Sequence, residues 1–244
     1  MKRVASYVFF IALCGLALSQ LKKDRKCLRE KVITFPELTT NSWVQLHPNV
    51  SMDLSEITVC LRFYTEQASP SPCLFSLATP SNPQDFSLRW SGDSKLYQLF
   101  IHNTQVDFKG LTFNMNQWNS VCATWDAKSG LAQMFVNEVA SIKKAVGTKV
   151  SFKGNPVIAL GQYQTQYGGG FLLPSTFTGF LADVHVHGQV LITRQIKTYM
   201  EAKSKNKYKL GDYINWHNLM YTITGSAQVE EKHQVTFYTK EEQQ

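Results

Sequence analysis

The chain has 244 residues, 43% of them hydrophobic and 18% charged, with a formal net charge of +7; this length fits one large domain better than two average ones. The basic excess is mild and dispersed, which argues against the concentrated stripe of a nucleic-acid binder and favours acidic partners. No apolar run reaches the roughly 20 residues of a membrane-spanning helix, so no transmembrane segment is expected.

Residues 1–19 read as a secretory leader, to be removed from an extracellular protein. Lys2 and Arg3 open it, an apolar run from Val8 to Leu18 follows, and Ala17-Leu18-Ser19 supplies small residues for cleavage. Its loss lowers the formal charge to 7 − 2 = +5 and removes Cys14. Cys27, Cys60, Cys73 and Cys122 remain, and an even number of cysteines outside the cell makes disulfides the default expectation. Asn49-Val50-Ser51 is the one glycosylation sequon, in a stretch rich in Pro, Asn and Ser that should be exposed.

From Val32 to Phe180 short apolar runs alternate with turn residues. Strands are predicted over 43–46, 57–64, 86–90, 96–101, 120–125, 133–136, 150–152, 157–160 and 179–186. In the second, Ile57, Val59, Leu61 and Phe63 share one face and Cys60 looks away; in the fifth, Val121, Ala123 and Trp125 alternate with Cys122 and Thr124. Asp126-Ala127-Lys128-Ser129-Gly130, Gly147 and Gly154-Asn155-Pro156 are turns. Many short strands with regular turns predict an all-β sandwich or jelly roll. A single helix is predicted over 193–203, with Ile192, Ile196 and Met200 as the apolar stripe that lies on a sheet. Lys203, Lys205, Lys207 and Lys209 alternate with polar residues in a solvated loop that offers at most a weak patch for sulfated glycan or anionic phospholipid. The tail from Glu230 is polar.

Catalysis is not expected. A glycoside hydrolase needs two carboxylates flanking the bond, and no Glu-x-Asp-x-x-Glu strand occurs. No serine stands in a nucleophile elbow. His185 and His187 alternate on one strand without a third ligand nearby and read as surface residues.

The stretch Ser120-Val121-Cys122-Ala123-Thr124-Trp125-Asp126-Ala127 resembles the pentraxin signature His-x-Cys-x-Ser/Thr-Trp-x-Ser/Thr. Cysteine, threonine and tryptophan match; Ser120 and Ala127 depart. Seven further stretches fall in the family's order: Ile33-Thr34-Phe35-Pro36, the run from Val59 to Glu66, Phe75-Ser76-Leu77-Ala78-Thr79, Ser129-Gly130, Leu160-Gly161-Gln162, Tyr167-Gly168-Gly169 and Asn215-Trp216. The resemblance places a pentraxin-like domain at 31–235, after an N-terminal extension at 20–30 and before a polar tail at 236–244. It implies a flattened antiparallel jelly roll of the lectin-like kind, with one helix laid on one sheet. It also implies a Cys60–Cys122 bridge, stabilising by roughly 4 kcal/mol on the chain-entropy estimate. Cys27 and Cys73 are extra to the family pattern: they pair with each other, link subunits or stay free. Assembly as a homo-oligomer, a pentamer by resemblance, is implied too.

Pentraxins bind ligands through two adjacent calcium ions, and calcium wants about 6–8 oxygens with carboxylates setting its affinity. Set against the family pattern, Pro83 and Gln84 stand where an Asp-Asn pair belongs, with Asp85 one place late. In the second loop Tyr163 stands at a Glu, Gln164 matches a Gln and Thr165 stands at an Asp; Leu172 and Ser175 hold the later Glu and Gln positions. Residues 161–175 contain no Asp or Glu, and 79–90 contain only Asp85. Calcium binding is therefore expected to be weak or absent, and the loop to fold around Tyr163, Tyr167 and Phe171. The pocket that holds phosphocholine in the family would have its aromatic wall near Arg89 and its acidic group near Gln105. The reading is a secreted binding protein of the pattern-recognition kind whose calcium-dependent site has decayed. Two alternatives are a working calcium-dependent lectin of the acute phase, and a structural oligomer of an extracellular matrix or egg coat.

Overall fold

The computed structural model describes residues 25–67, 70–146, 149–201 and 208–232. The expected leader 1–19, Gly147, Lys203, Lys205, Lys207 and the tail 236–244 lie outside the described residues.

In chain order the strands begin β1 (Lys31–Phe35), β2 (Trp43–His47), β3 (Met52–Leu54), β4 (Glu56–Tyr64), β5 (Cys73–Ala78) and β6 (Phe86–Ser91). They continue β7 (Leu96–Ile101), β8 (Thr104–Phe108), β9 (Asn119–Asp126), β10 (Leu131–Val136), β11 (Val139–Ala140) and β12 (Lys144–Ala145). Then come β13 (Phe152–Gly154), β14 (Val157–Leu160), β15 (Gly179–His187), helix α1 (Thr193–Met200), β16 (Ile214–Asn215), β17 (Met220–Thr224) and β18 (Gln228–Glu231). One sheet runs β11-β10-β9-β4-β15-β1-β18, with β12 also on β10 and β16 on β15. The other runs β17-β2-β14-β5-β6-β7-β8, and β3 pairs with β13 in a small ribbon. The pairings are antiparallel throughout, and β4 lies between β9 and β15, far from it in sequence. The chain thus crosses repeatedly between sheets, giving the all-β antiparallel sandwich that alternation predicts.

The inner faces make the core. Ile57, Val59, Leu61 and Phe63 from β4 and Val121, Ala123 and Trp125 from β9 meet Phe75, Leu77, Phe86, Leu88 and Leu99 from the second sheet. Trp125 is fully buried, and its indole N–H donates to the Val146 carbonyl at 3.2 Å; a buried indole needs such a partner. The segment before β1 is tied in as well. Lys26 and Leu219 exchange backbone hydrogen bonds at 2.8 and 2.9 Å, and Leu28 is buried.

The register pairs Cys60 directly with Cys122, and the two are bonded with Cα atoms 4.1 Å apart. Being one step out of phase with the core residues, the bridge lies on the outer face, where Leu191 and, from α1, Ile196, Tyr199 and Met200 cover it. The predicted stripe is corrected at one position: Ile192 is 59% exposed. It precedes the first helical turn with an extended backbone, so the helical period does not govern it. Its N–H is capped by the Gln195 side chain at 3.1 Å, a reach-back contact that satisfies one of the helix's orphan donors.

Strand β15 supplies a second correction. His185 and His187 are buried, not on the surface. β15 is central in its sheet, its register shifts between Ala182 and His185, and its outer face lies beneath α1 and the segment from Tyr208. The predicted strand at 150–152 also moves: the strand is Phe152–Gly154 and Val150 is exposed.

Candidate functional site

The loop 161–175 crosses the outer face of the second sheet. It starts at Gly161, where φ is +84° and an added Cβ would sit 2.4 Å from the Phe35 ring; only glycine fits both demands. Gly161→Ala is expected to cost at least about 2 kcal/mol in denaturant unfolding, through a strained backbone and a displaced core ring. Gln162 follows, buried, with Nε2 donating to the carbonyls of Thr39 at 2.7 Å and Ser42 at 2.8 Å.

Gln164 is fully buried. Its Nε2 donates to the Ser76 carbonyl at 3.1 Å and the Val157 carbonyl at 3.0 Å, and its Oε1 accepts the Gly168 N–H at 3.0 Å. The side chain is thus a staple that holds the loop on β5 and β14. Gly168, with φ of +74°, lets Gln166 and Gly169 close a tight hairpin by reciprocal backbone bonds. Ser175, also buried, closes the short 3₁₀ turn Leu173–Ser175 by donating its N–H to Leu172. The rings do not form the self-contained cluster expected. Tyr163 packs on Phe100, Phe171 packs on Trp43, and Tyr167 is 44% exposed with its hydroxyl on the Asn155 carbonyl. The sheet already presents apolar partners, so each ring docks onto it rather than onto its neighbours.

Asp85 is buried, with both oxygens engaged. Thr79 Oγ1 donates to Oδ2 at 2.9 Å, and His102 Nδ1 lies 2.5 Å from Oδ1. His102 Nε2 is 2.7 Å from the Val150 carbonyl. A carbonyl only accepts, so it is Nε2 that donates to Val150. Gln84 is held through its backbone, its N–H donating to Asn103 Oδ1 and its carbonyl accepting the Asn103 N–H, both at 3.0 Å. Gln84 and Asp85 therefore both tie to the His102-Asn103 turn, while Gln164 and Ser175 serve two other pieces of scaffold. Among the described residues, no group of three or more His, Cys, Asp or Glu side chains could hold a metal. As arranged, this donor set does not fit a pair of calcium ions: its one carboxylate is buried and spoken for.

The roles of His102, Ser76 and Gln162 escape a reading of the sequence. For His102 a signal exists, since His102-Asn103 is the two-residue link between β7 and β8 with both φ positive, the geometry that favours asparagine in hairpins. Ser76 and Gln162 are plain polar residues whose partners are distant in the chain.

On the same face, Arg89 stands where the family's aromatic wall is expected. Its guanidinium carbon is 4.9 Å from the Phe100 centroid and 4.8 Å from that of Tyr163. Nε donates to Gln98 Oε1 at 2.7 Å, Gln98 Nε2 donates to Asp107 Oδ1 at 3.3 Å, and Gln105 Nε2 reaches the same oxygen at 2.7 Å. Cys73 is buried beside them as a free thiol, pushed up to about 12 by desolvation against a smaller opposing pull from Arg89. Cys27 is free and exposed, so the two extra cysteines are not bonded to each other.

A second polar cluster lies under α1. His185 Nδ1 accepts the Gly211 N–H at 3.2 Å, which puts the ring hydrogen on Nε2, an atom without a partner. His217 is 5.6 Å away between ring centres, and Tyr199 and Tyr208 flank the ring. Burial, then the neighbouring His217, His187 and Arg62, hold His185 well below the usual histidine range. Burial brings His187 down to about 4, with Asp212 opposing and Lys209 assisting. Both rings are neutral, buried packing elements.

Comparison with known proteins agrees with this architecture. The family model described as the Pentaxin family matches residues 31–231. Jeltraxin of Lepidobatrachus laevis is 33% identical over 202 residues, covering 80% of this chain and 84% of that protein. C-reactive protein of Xenopus laevis is 31% identical over 229 residues, covering 93% and 91%. Serum amyloid P-component of Rattus norvegicus is 31% identical over 198 residues, covering 81% and 84%. In fold, the chain is similar to the crystal structure of a heptameric SAP-like pentraxin from Limulus polyphemus, with a TM-score of 0.74 at 21% identity, covering 84% of this chain and 97% of that one. C-reactive protein and serum amyloid P-component are binding proteins rather than enzymes. With the signature strand, its disulfide and its covering helix all in place, the chain belongs to the Pentaxin family.

Proposed function

We propose that this chain is a secreted, homo-oligomeric recognition protein of the innate immune type whose ligand face works without calcium. The carrying observation is that the family's calcium positions are occupied by protein–protein hydrogen bonds: Asp85 serves Thr79 and His102, and Gln164 serves Ser76, Val157 and Gly168. Secretion is supported by the leader-like residues 1–19, and by relatives such as serum amyloid P-component and C-reactive protein. Among the described residues no helix is long and apolar enough to cross a membrane. Asn49 is exposed in the link between β2 and β3, open to glycosylation. The net positive charge favours anionic ligands, glycan or phospholipid. Homo-oligomer assembly follows the heptameric Limulus relative and the family resemblance, without fixing the number of subunits.

Thermal unfolding of the secreted protein in 2 mM calcium and in EDTA tests the reading. An ion bound with a dissociation constant of about 10⁻⁴ M would add roughly 2 kcal/mol per site at that concentration. The expected result is the same melting temperature in both buffers; a rise of several degrees with calcium would overturn the proposal.

A further inference from the structure

We propose that Arg89 is a direct receptor for a terminal oxyanion, the carboxylate or phosphate monoester of a ligand headgroup, on the outer face of the second sheet with no metal between. The inference rests on the calcium-free reading above and assigns it a residue and a ligand chemistry.

The guanidinium is held by two rings and an amide. Phe100 and Tyr163, both buried and in contact with each other, lie against its carbon at 4.9 and 4.8 Å. Gln98 takes its Nε hydrogen at 2.7 Å. The Gln98 amide is itself oriented, because its Nε2 donates to Asp107; its oxygen and not its nitrogen must then face the arginine. What remains is the edge carrying Nη1 and Nη2, which makes no hydrogen bond or ion pair among the described residues. The contrast is Arg62 on the opposite sheet, whose guanidinium is consumed by Asp183, the Tyr199 carbonyl and Ser120.

No local anion neutralises Arg89. Cys73 beside it keeps its proton, and Asp107, one strand beyond Gln98, already accepts from Gln98 and Gln105. A half-buried cation without a counter-charge is costly to keep, and a fixed planar fork with two free donors matches an oxyanion in bidentate fashion. Preorganisation by two rings and an amide removes most of the ordering cost of binding. A cation brought to this place is repelled by the guanidinium, which already occupies these rings. The face that would grip a quaternary ammonium in the family instead selects the opposite charge.

The test is calorimetry on the full secreted protein in EDTA, with glycerol 3-phosphate and glucuronate as soluble probes, choline as the cationic control, and vesicles with and without phosphatidic acid as the lipid source. Saturable binding of at least one anionic probe is expected, none of choline, and at least tenfold weakening in both Arg89→Lys and Arg89→Gln; Lys153→Gln, on an exposed side chain, should bind as the wild type does. The lysine variant keeps the charge and tests the fork, so a folded Arg89→Lys protein settles the point even if the glutamine variant is unstable. Vesicle binding alone would assign the oxyanion to a lipid headgroup, and soluble binding alone to a free metabolite or glycan terminus. Equal binding by wild type and Arg89 variants, or no binding of any probe in EDTA or in calcium, overturns the Arg89 assignment and leaves the calcium-free reading standing. Binding that appears only with calcium overturns both.

Discussion

Replacing Cys60 and Cys122 together by alanine is expected to lower the unfolding free energy by about 4 kcal/mol in denaturant titrations. The bridge joins residues 62 apart in sequence, and closing a loop of that length removes roughly that much denatured-state entropy. The bridge also forms part of the floor on which α1 packs, beside Phe135, Leu191, Ile196 and Tyr199. Loss of the sulfurs should therefore loosen the helix first, with hydrogen exchange of 193–200 rising before that of the inner strands. A double variant within 1 kcal/mol of wild type would show that the sandwich alone fixes this register.

Acidification is expected to have an effect at least as large. His187 is held at about 4, against 6.5 when unfolded, and His185 is shifted further in the same direction. A depressed imidazole binds its proton in the unfolded chain before it does so in the folded one. Stability is thus full above pH 6.5 and falls as pH drops below it, until the folded ring itself titrates. For His187 alone the difference from 6.5 to about 4 amounts to about 3 kcal/mol. His185 adds to it with a geometric cause, since protonating Nδ1 sets it against the Gly211 N–H that it now accepts. Unfolding free energies measured from pH 7.5 to 4.5 should decline steadily, and His187→Gln should reduce the slope. An unchanged slope in that variant, or stability flat to pH 4.5, would contradict the assignment.

Alternation reads a strand only when its two faces differ. It locates β4 and β9 to within a residue or so because core and outer positions there differ in polarity, while β7 and β14 stand out as short apolar runs bounded by turn residues. β5, also buried at all six residues, escapes it: the register shifts between Cys73 and Phe75, which breaks the alternation, and only the family resemblance points to the strand. β17 fails the other way, being half-exposed to exposed along its length. The histidines of β15 are misassigned because a helix from later in the chain closes over a face that polarity alone marks as solvent. The candidate site divides similarly. The missing carboxylates are plain in the composition of two loops. Their replacements are not, because Gln164 finds Ser76 across 88 residues and Asp85 finds His102 across 17, and no local pattern encodes such pairs.

The central claim is that protein hydrogen bonds, not calcium, organise the loops 79–90 and 161–175. Calorimetric titration of the secreted protein with calcium, from micromolar to several millimolar, tests it most directly. The account predicts only heats of dilution, in the wild type and in Asp85→Asn alike, because a single carboxylate already shared by Thr79 and His102 cannot offset two divalent charges. Saturable binding at or below millimolar concentration, lost in Asp85→Asn, would contradict it.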